Sequence, residues 1–137
     1  MMRRINVNEL TDVALVWAVA TCEGYTDYCP ETEKMLPPHK THGFVQLCDL
    51  MFTTDWAQGG IIIEREINVI EKRDGYWYAW RAKRKDGYVT SDFKTVPASK
   101  EAWAYGSTPL IAAMRCYVKS KMGEEVEVPE TLLLVAH

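Results

Sequence analysis

No stretch of this chain stays apolar for the roughly 18 residues that a membrane-spanning helix needs. The opening run, Met1-Met2-Arg3-Arg4-Ile5-Asn6, lacks the apolar segment of a secretory signal. Basic residues are in deficit: 16 Lys and Arg stand against 19 Asp and Glu, a net charge of −3. That sign argues against a general nucleic-acid binder, which needs a basic excess to neutralise phosphates. Cysteine is scarce. None of the four forms a C-x-x-C pair, so neither a disulfide framework nor a redox motif is indicated. A reducing cytoplasm is the expected compartment. Internal repeats are absent, and so is any motif that sets a nucleophile beside a base, so the sequence indicates no enzyme.

What is present suits one folded domain. The 137 residues are 47% hydrophobic, which is enough for a single core spanning residues 1–137. Five Trp and seven Tyr supply aromatic area of the kind found in cores and binding surfaces.

Arg4 to Val7 alternates polar and apolar residues and predicts a short edge strand. A helix is expected from Thr11, its hydroxyl acting as cap and Leu10 and Leu15 forming a hydrophobic staple. It should end near Glu23, with Gly24 taking the left-handed stop. One face carries Val13, Val16, Trp17 and Ala20, and the opposite face Leu15, Ala18, Val19 and Cys22. A helix apolar all round is either central or shared with another subunit, so a homo-oligomer is expected. Residues 25–52 show no clean period and read as a long irregular excursion with one short strand at Phe44–Leu47. A second helix follows Thr54 or Asp55, where Asp55 and Gln58 have capping-box spacing. Its Gly59-Gly60 pair is poor for a helix and implies close approach of another backbone or a ligand.

Ile67–Lys72, Tyr76–Ala82 and Tyr88–Ser91 read as strands joined by turns at Arg73-Asp74-Gly75 and Lys85-Asp86-Gly87, with Ala102–Tyr105 as a fourth. Tyr76-Trp77-Tyr78-Ala79-Trp80 is aromatic or small on both sides, the pattern of a sheet covered on both faces. The last helix is capped by Thr108, begins at Pro109 and ends at Gly123. Its small face of Ala112, Ala113, Cys116 and Ser120 should pair with Ala14, Ala18 and Cys22 of the first helix. From Glu124 the tail starts as a strand and ends unconstrained. The expected fold class is α+β: an antiparallel β-meander with helices on both faces, an α-β-α sandwich.

Four blocks resemble a known family. They are Asn6-Val7-Asn8-Glu9-Leu10-Thr11, Ala18-Val19-Ala20-Thr21-Cys22-Glu23-Gly24, Thr54-Asp55-Trp56-Ala57-Gln58-Gly59-Gly60, and Gly106-Ser107-Thr108-Pro109 continuing through Val118. Together they resemble the NinX-like proteins of tailed bacteriophages and, more loosely, phage proteins described as an α-β-α sandwich. Ile61 stands where the family pattern would have Pro. The resemblance implies phage origin, a place in the host cytoplasm and an accessory role, and it supplies no catalytic residue.

The sharpest chemical expectation is capture of a small nucleotide-like anion, for host takeover or counter-defence. Helix starts offer free amides and a positive dipole end. Gly59, Gly60, Ser107 and Thr108 would donate, with Gln58 and Gly106 in the same site, Arg65 and Arg115 would neutralise charge, and Trp56 and Tyr105 would stack. The competing expectation is a protein-interaction module that blocks a host factor. A small hydrolase using Asp12, Asp55, Glu64 or Glu66, or a Cys48–His42 pair, is the weaker third. Cys29, His39, His42 and Cys48 are zinc-ligand types without standard zinc spacing, so no metal and no cofactor are expected. Lys83-Arg84-Lys85 reads as a solvated hairpin tip.

Overall fold

A computed structural model describes residues 2–38, 43–82 and 100–134. They form eight strands and four helices: β1 (Met2–Asn6), α1 (Asp12–Cys22), β2 (Thr26–Cys29), β3 (Lys34–Leu36), β4 (Val45–Gln46), α2 (Trp56–Glu66), β5 (Val69–Arg73), β6 (Tyr76–Ala82), β7 (Lys100–Gly106), α3 (Pro109–Met122), β8 (Glu125–Pro129) and α4 (Thr131–Leu134). All strand pairings are antiparallel, in three sheets: β1-β8, β2-β3-β4 and β5-β6-β7. The α+β class is as expected. The single meander is replaced among the described residues by two three-stranded meanders, β2-β3-β4 and β5-β6-β7, and the two-stranded sheet β1-β8.

α1 is the centre of the core. Every residue from Ala14 to Ala20 is buried, and Leu10 and Leu15, the two staple positions, are 0% and 1% exposed. Burying a Val- or Leu-sized side chain contributes about 1.5–3 kcal/mol, so Leu10, Leu15, Val16 and Val19 anchor the fold. α1 packs on α3, β8, α4 and the 3-10 turn Leu47–Asp49. Its two-sided apolarity is therefore satisfied inside the chain, and this helix creates no need for a second subunit. The expected pairing of α1 with α3 is present: Ala14, Ala18, Ala112, Ala113 and Cys116 are all buried. Gly24 takes its stop conformation at φ +100°.

The stretch 25–52 is more ordered than its sequence suggests. Beyond the expected strand, seen as β4, it holds β2 and β3, and Met35 and Leu47 reach the core. Strands of two to four residues are too short to display a period, which explains why they escape a pattern search. The tail also gains the short helix α4 after its strand.

In the β5-β6-β7 sheet, Asp74 and Gly75 both have positive φ, as a tight hairpin requires. α3 packs on one face, where Ala79 and Ala104 lie opposite each other and fully buried. The other face keeps Tyr76, Trp103 and Tyr105 at 51%, 38% and 36% exposure. Among the described residues, helical cover is thus seen on the α3 side. Tyr and Trp carry polar edges and can stack on one another, so a half-exposed aromatic face is tolerable where an aliphatic one is not. Tyr88–Ser91, the Lys85-Asp86-Gly87 turn and Lys83-Arg84-Lys85 lie outside the described residues.

Candidate functional site

The two helix starts expected to hold an anion are brought together. Gly59 in the first turn of α2 lies against Leu110 in the first turn of α3, and α2 packs on α3. A Cβ at Gly59 would sit 2.3 Å from the Phe52 carbonyl oxygen and 2.6 Å from Leu110 Cδ2, so its absence permits close packing. At Gly106 a Cβ would meet Ile111 Cγ2 at 2.7 Å and the Ala112 nitrogen at 2.9 Å. Gly60 is open apart from the Trp56 ring, 3.9 Å from where its Cβ would be.

The donors at these starts are engaged by the protein itself. Ala57 N donates to Asp55 Oδ1 at 2.9 Å, and Gln58 N and Gly59 N donate to the Asp55 carbonyl at 3.1 and 2.8 Å. The Gln58 side chain turns away from the capping-box position and accepts from Met51 N at 3.0 Å. At α3, Ile111 N donates to Thr108 Oγ1 at 3.1 Å and Ala112 N to the Thr108 carbonyl at 3.0 Å. Ser107 and Trp56 are exposed.

Both guanidinium groups expected to meet the anion also have partners. Arg115 is buried. Its Nε donates to the Leu10 carbonyl at 3.0 Å and its NH1 to the Tyr105 carbonyl at 2.8 Å, tying the approach to α1 to the end of β7. Burial pushes its pKa below the ordinary arginine value. Arg65 belongs to a network that sequence spacing does not reveal. It pairs with Glu23 at the end of α1, and its Nε lies 2.6 Å from Glu66 Oε2. Tyr117 OH donates to Glu23 Oε2 at 2.5 Å. Arg81 on β6 meets Glu66 Oε1 at 2.8 Å and donates to Ser120 Oγ at 3.0 Å. The network joins the far ends of α1 and α2 to β6 and α3. Hydrogen bonding to Glu23 and Glu66 drives the Arg65 pKa up, and desolvation does the same for Tyr117. Only the adjacent pair Arg65-Glu66 is visible as a unit in the sequence.

Tyr105 takes part in a third arrangement. Tyr76, Tyr78 and Trp80 alternate along β6 on the face away from α3, and cross-strand pairing sets Tyr78 beside Tyr105 and Trp80 beside Trp103. Tyr78 lies 6.1 Å from Trp80, 6.2 Å from Trp103 and 6.0 Å from Tyr105, ring centre to ring centre. Tyr76 meets Tyr105 edge-on at 6.0 Å. Cations border the rings: the Arg73 guanidinium is 5.7 Å from the Trp80 ring and Lys119 Nζ is 5.2 Å from the Trp103 ring. Arg73 also pairs with Glu71 at 2.8 Å and Lys119 with Glu124 at 3.8 Å, so among the described residues each bordering cation has an acidic partner. The period-two spacing of Tyr76, Tyr78 and Trp80 was the available signal for this face.

The remaining candidates are scattered. Asp55 caps α2, Glu66 is held in its ion pairs, Glu64 is exposed, and Asp12 opens α1. Cys29 is on β2 and Cys48 on the 3-10 turn, while His39 and His42 lie outside the described residues. Among the described residues no group of three or more His, Cys, Asp or Glu is placed to hold a metal. Burial pushes the thiols of Cys22 and Cys116 up to about 12, which makes poor nucleophiles of both. No helix is long and apolar enough to cross a membrane among the described residues.

A family model described as "Bacteriophage P22, NinX" matches residues 6–121. No curated protein matches the chain.

Proposed function

The chain belongs to the bacteriophage P22 NinX family, and from that premise we propose that it is a non-catalytic phage accessory protein that binds a protein partner through the aromatic face of β5-β6-β7. The observation that carries this reading is the five-ring cluster of Tyr76, Tyr78, Trp80, Trp103 and Tyr105, three of whose members are more than a third exposed. Tyr, Trp and Arg dominate the energetic centres of protein interfaces because they bury large area at little entropic cost. Among the described residues Arg73 is paired with Glu71 and Lys119 with Glu124, so the cations bordering the rings are not the unpaired basic groups that a nucleic-acid strand selects. A host protein in the cytoplasm of the infected cell is the expected partner.

Sequestration of a nucleotide-like anion at Trp56, Gln58–Gly60, Arg65, Tyr105–Thr108 and Arg115 has less support. Asp55 and Thr108 already hold the nearby amides, and protein oxygens hold both arginines. An anion there would have to displace bonds the fold uses.

Photo-crosslinking in infected cells tests the proposal. A photoreactive residue replacing Tyr76 should give a discrete host-protein adduct, and one replacing Glu127, exposed on β8, should not. The combined variant Y76A/W103A/Y105A should fold and lose the adduct. Equal adduct patterns from both positions, or adducts made only of nucleic acid or of this chain, would reject the reading.

A further inference from the structure

A cavity of about 330 Å³ opens at the start of α1, away from the aromatic sheet face. That volume is at the lower end for small-molecule sites and suits a ligand of a few heavy atoms. Its walls combine two kinds of group. Val13 and Val16 from α1, with Leu47 and Leu50 from the segment after β4, give it an apolar floor. Asp12, exposed at the start of α1, and Glu33, half-buried just before β3, line the same hollow. Among the described residues neither carboxylate has a hydrogen-bond or ion-pair partner, whereas Glu23 and Glu66, at the far ends of α1 and α2, each have an arginine. The start of α1 contributes about half a positive charge, which two full carboxylate charges outweigh. Among the described residues the lining holds these two acidic groups and no Lys, Arg or His, so its formal charge is negative.

We propose that this cavity binds a small organic cation: an ammonium group held by Asp12 and Glu33, carrying a short aliphatic chain laid on Val13, Val16, Leu47 and Leu50. Each half of the ligand answers one half of the lining. An inorganic cation would leave the apolar floor in water, and an aliphatic acid would bring a third negative charge to the mouth. The inference is independent of the aromatic face and of any partner bound there.

The intact chain can be titrated with hexylammonium, hexanoate and 1-hexanol by calorimetry. Alkylation of Cys48, an exposed free thiol in the cavity wall, provides a second readout by site-resolved mass spectrometry. Hexylammonium should bind and slow Cys48 alkylation. Hexanol should bind about tenfold more weakly, the loss expected for one charge-assisted hydrogen bond, and hexanoate should not bind. The double variant D12N/E33Q should bring hexylammonium down to the level of hexanol. Asn tolerates the left-handed backbone found at Asp12, φ +50°, so the fold should survive. Should the variant fail to fold, the ranking of the three probes on the natural chain still decides. Equal binding of amine and alcohol, preference for hexanoate, or no binding and no Cys48 protection at millimolar probe would each overturn the assignment.

Discussion

The three long helices begin in two different ways. α2 and α3 start closed: Asp55 and Thr108 cap their amides, and Gly59 and Gly106 bring backbone against neighbouring side chains at distances no Cβ could share. α1 starts open. Thr11 makes no side-chain cap, Asp12 sits in the left-handed region at φ +50°, and among the described residues no acceptor meets the amides of Asp12, Val13 or Ala14. The difference lies in what each start packs against. Gly59 in the first turn of α2 seats against Leu110 in the first turn of α3. Asp12 and Val13 of α1 border the open hollow, where solvent can serve. A helix start can therefore be a joint or an opening, and here the joints are the two that resemble ligand loops in sequence.

The sharpest attempt to break this contrast is Gly59→Ala. Its methyl would press on the Phe52 carbonyl and Leu110, so we expect a loss of about 1–3 kcal/mol in urea unfolding, the usual range for forced overpacking. Gly60→Ala, one residue on and open, should instead stabilise by about 0.5–1 kcal/mol from helix propensity. Equal effects at the two positions would dissolve the joint. A separate effect is alkaline. Cys22 and Cys116, near the far end of α1 and within α3, keep their protons in the folded state up to about 12, against an ordinary value of 9. The folded chain thus binds protons that the unfolded chain releases, so this stabilisation is complete below pH 9 and is lost as pH rises toward 12. A melting temperature unchanged across that window would contradict the burial of both thiols.

Smaller effects separate the helix starts directly. Asp55→Ala and Thr108→Ala should each cost about 1 kcal/mol, the usual worth of a side-chain cap. Thr11→Ala should cost only a few tenths, because its hydroxyl caps nothing and the residue is exposed. Parallel thermal melts would show the ordering, and a Thr11 loss as large as the Thr108 loss would mean that α1 is capped after all.

How much of this was legible depended on whether a signal was local. Thr108, Pro109 and Gly123 mark both ends of α3 within the sequence itself, and the helix runs Pro109–Met122 as they require. Capping failed as a guide at Thr11, where the residue type is right but the backbone at Asp12 turns the wrong way. The glycine pair announced a close approach without saying to what. The answer, Phe52 and Leu110, lies up to 51 residues away from Gly59 in sequence and is invisible to any local window. The same holds for Glu23 and Tyr117, which meet only because α1 and α3 pack side by side. On β6 the alternation was legible but ambiguous: aromatic rings on one side and Trp77, Ala79 and Arg81 on the other look equally core-like until α3 is seen to take the alanine side.

β6 is also where two demands on the chain become one. Its even-numbered positions display rings to the outside while Ala79 seats against a helix. Because strand side chains alternate strictly, sliding this strand by a single residue would turn the rings inward and expose the alanine. The outer surface and the interior are therefore printed from the same template. A phage lineage can exchange one ring for another there, but it cannot insert or delete a residue within the strand without rewriting both sides at once.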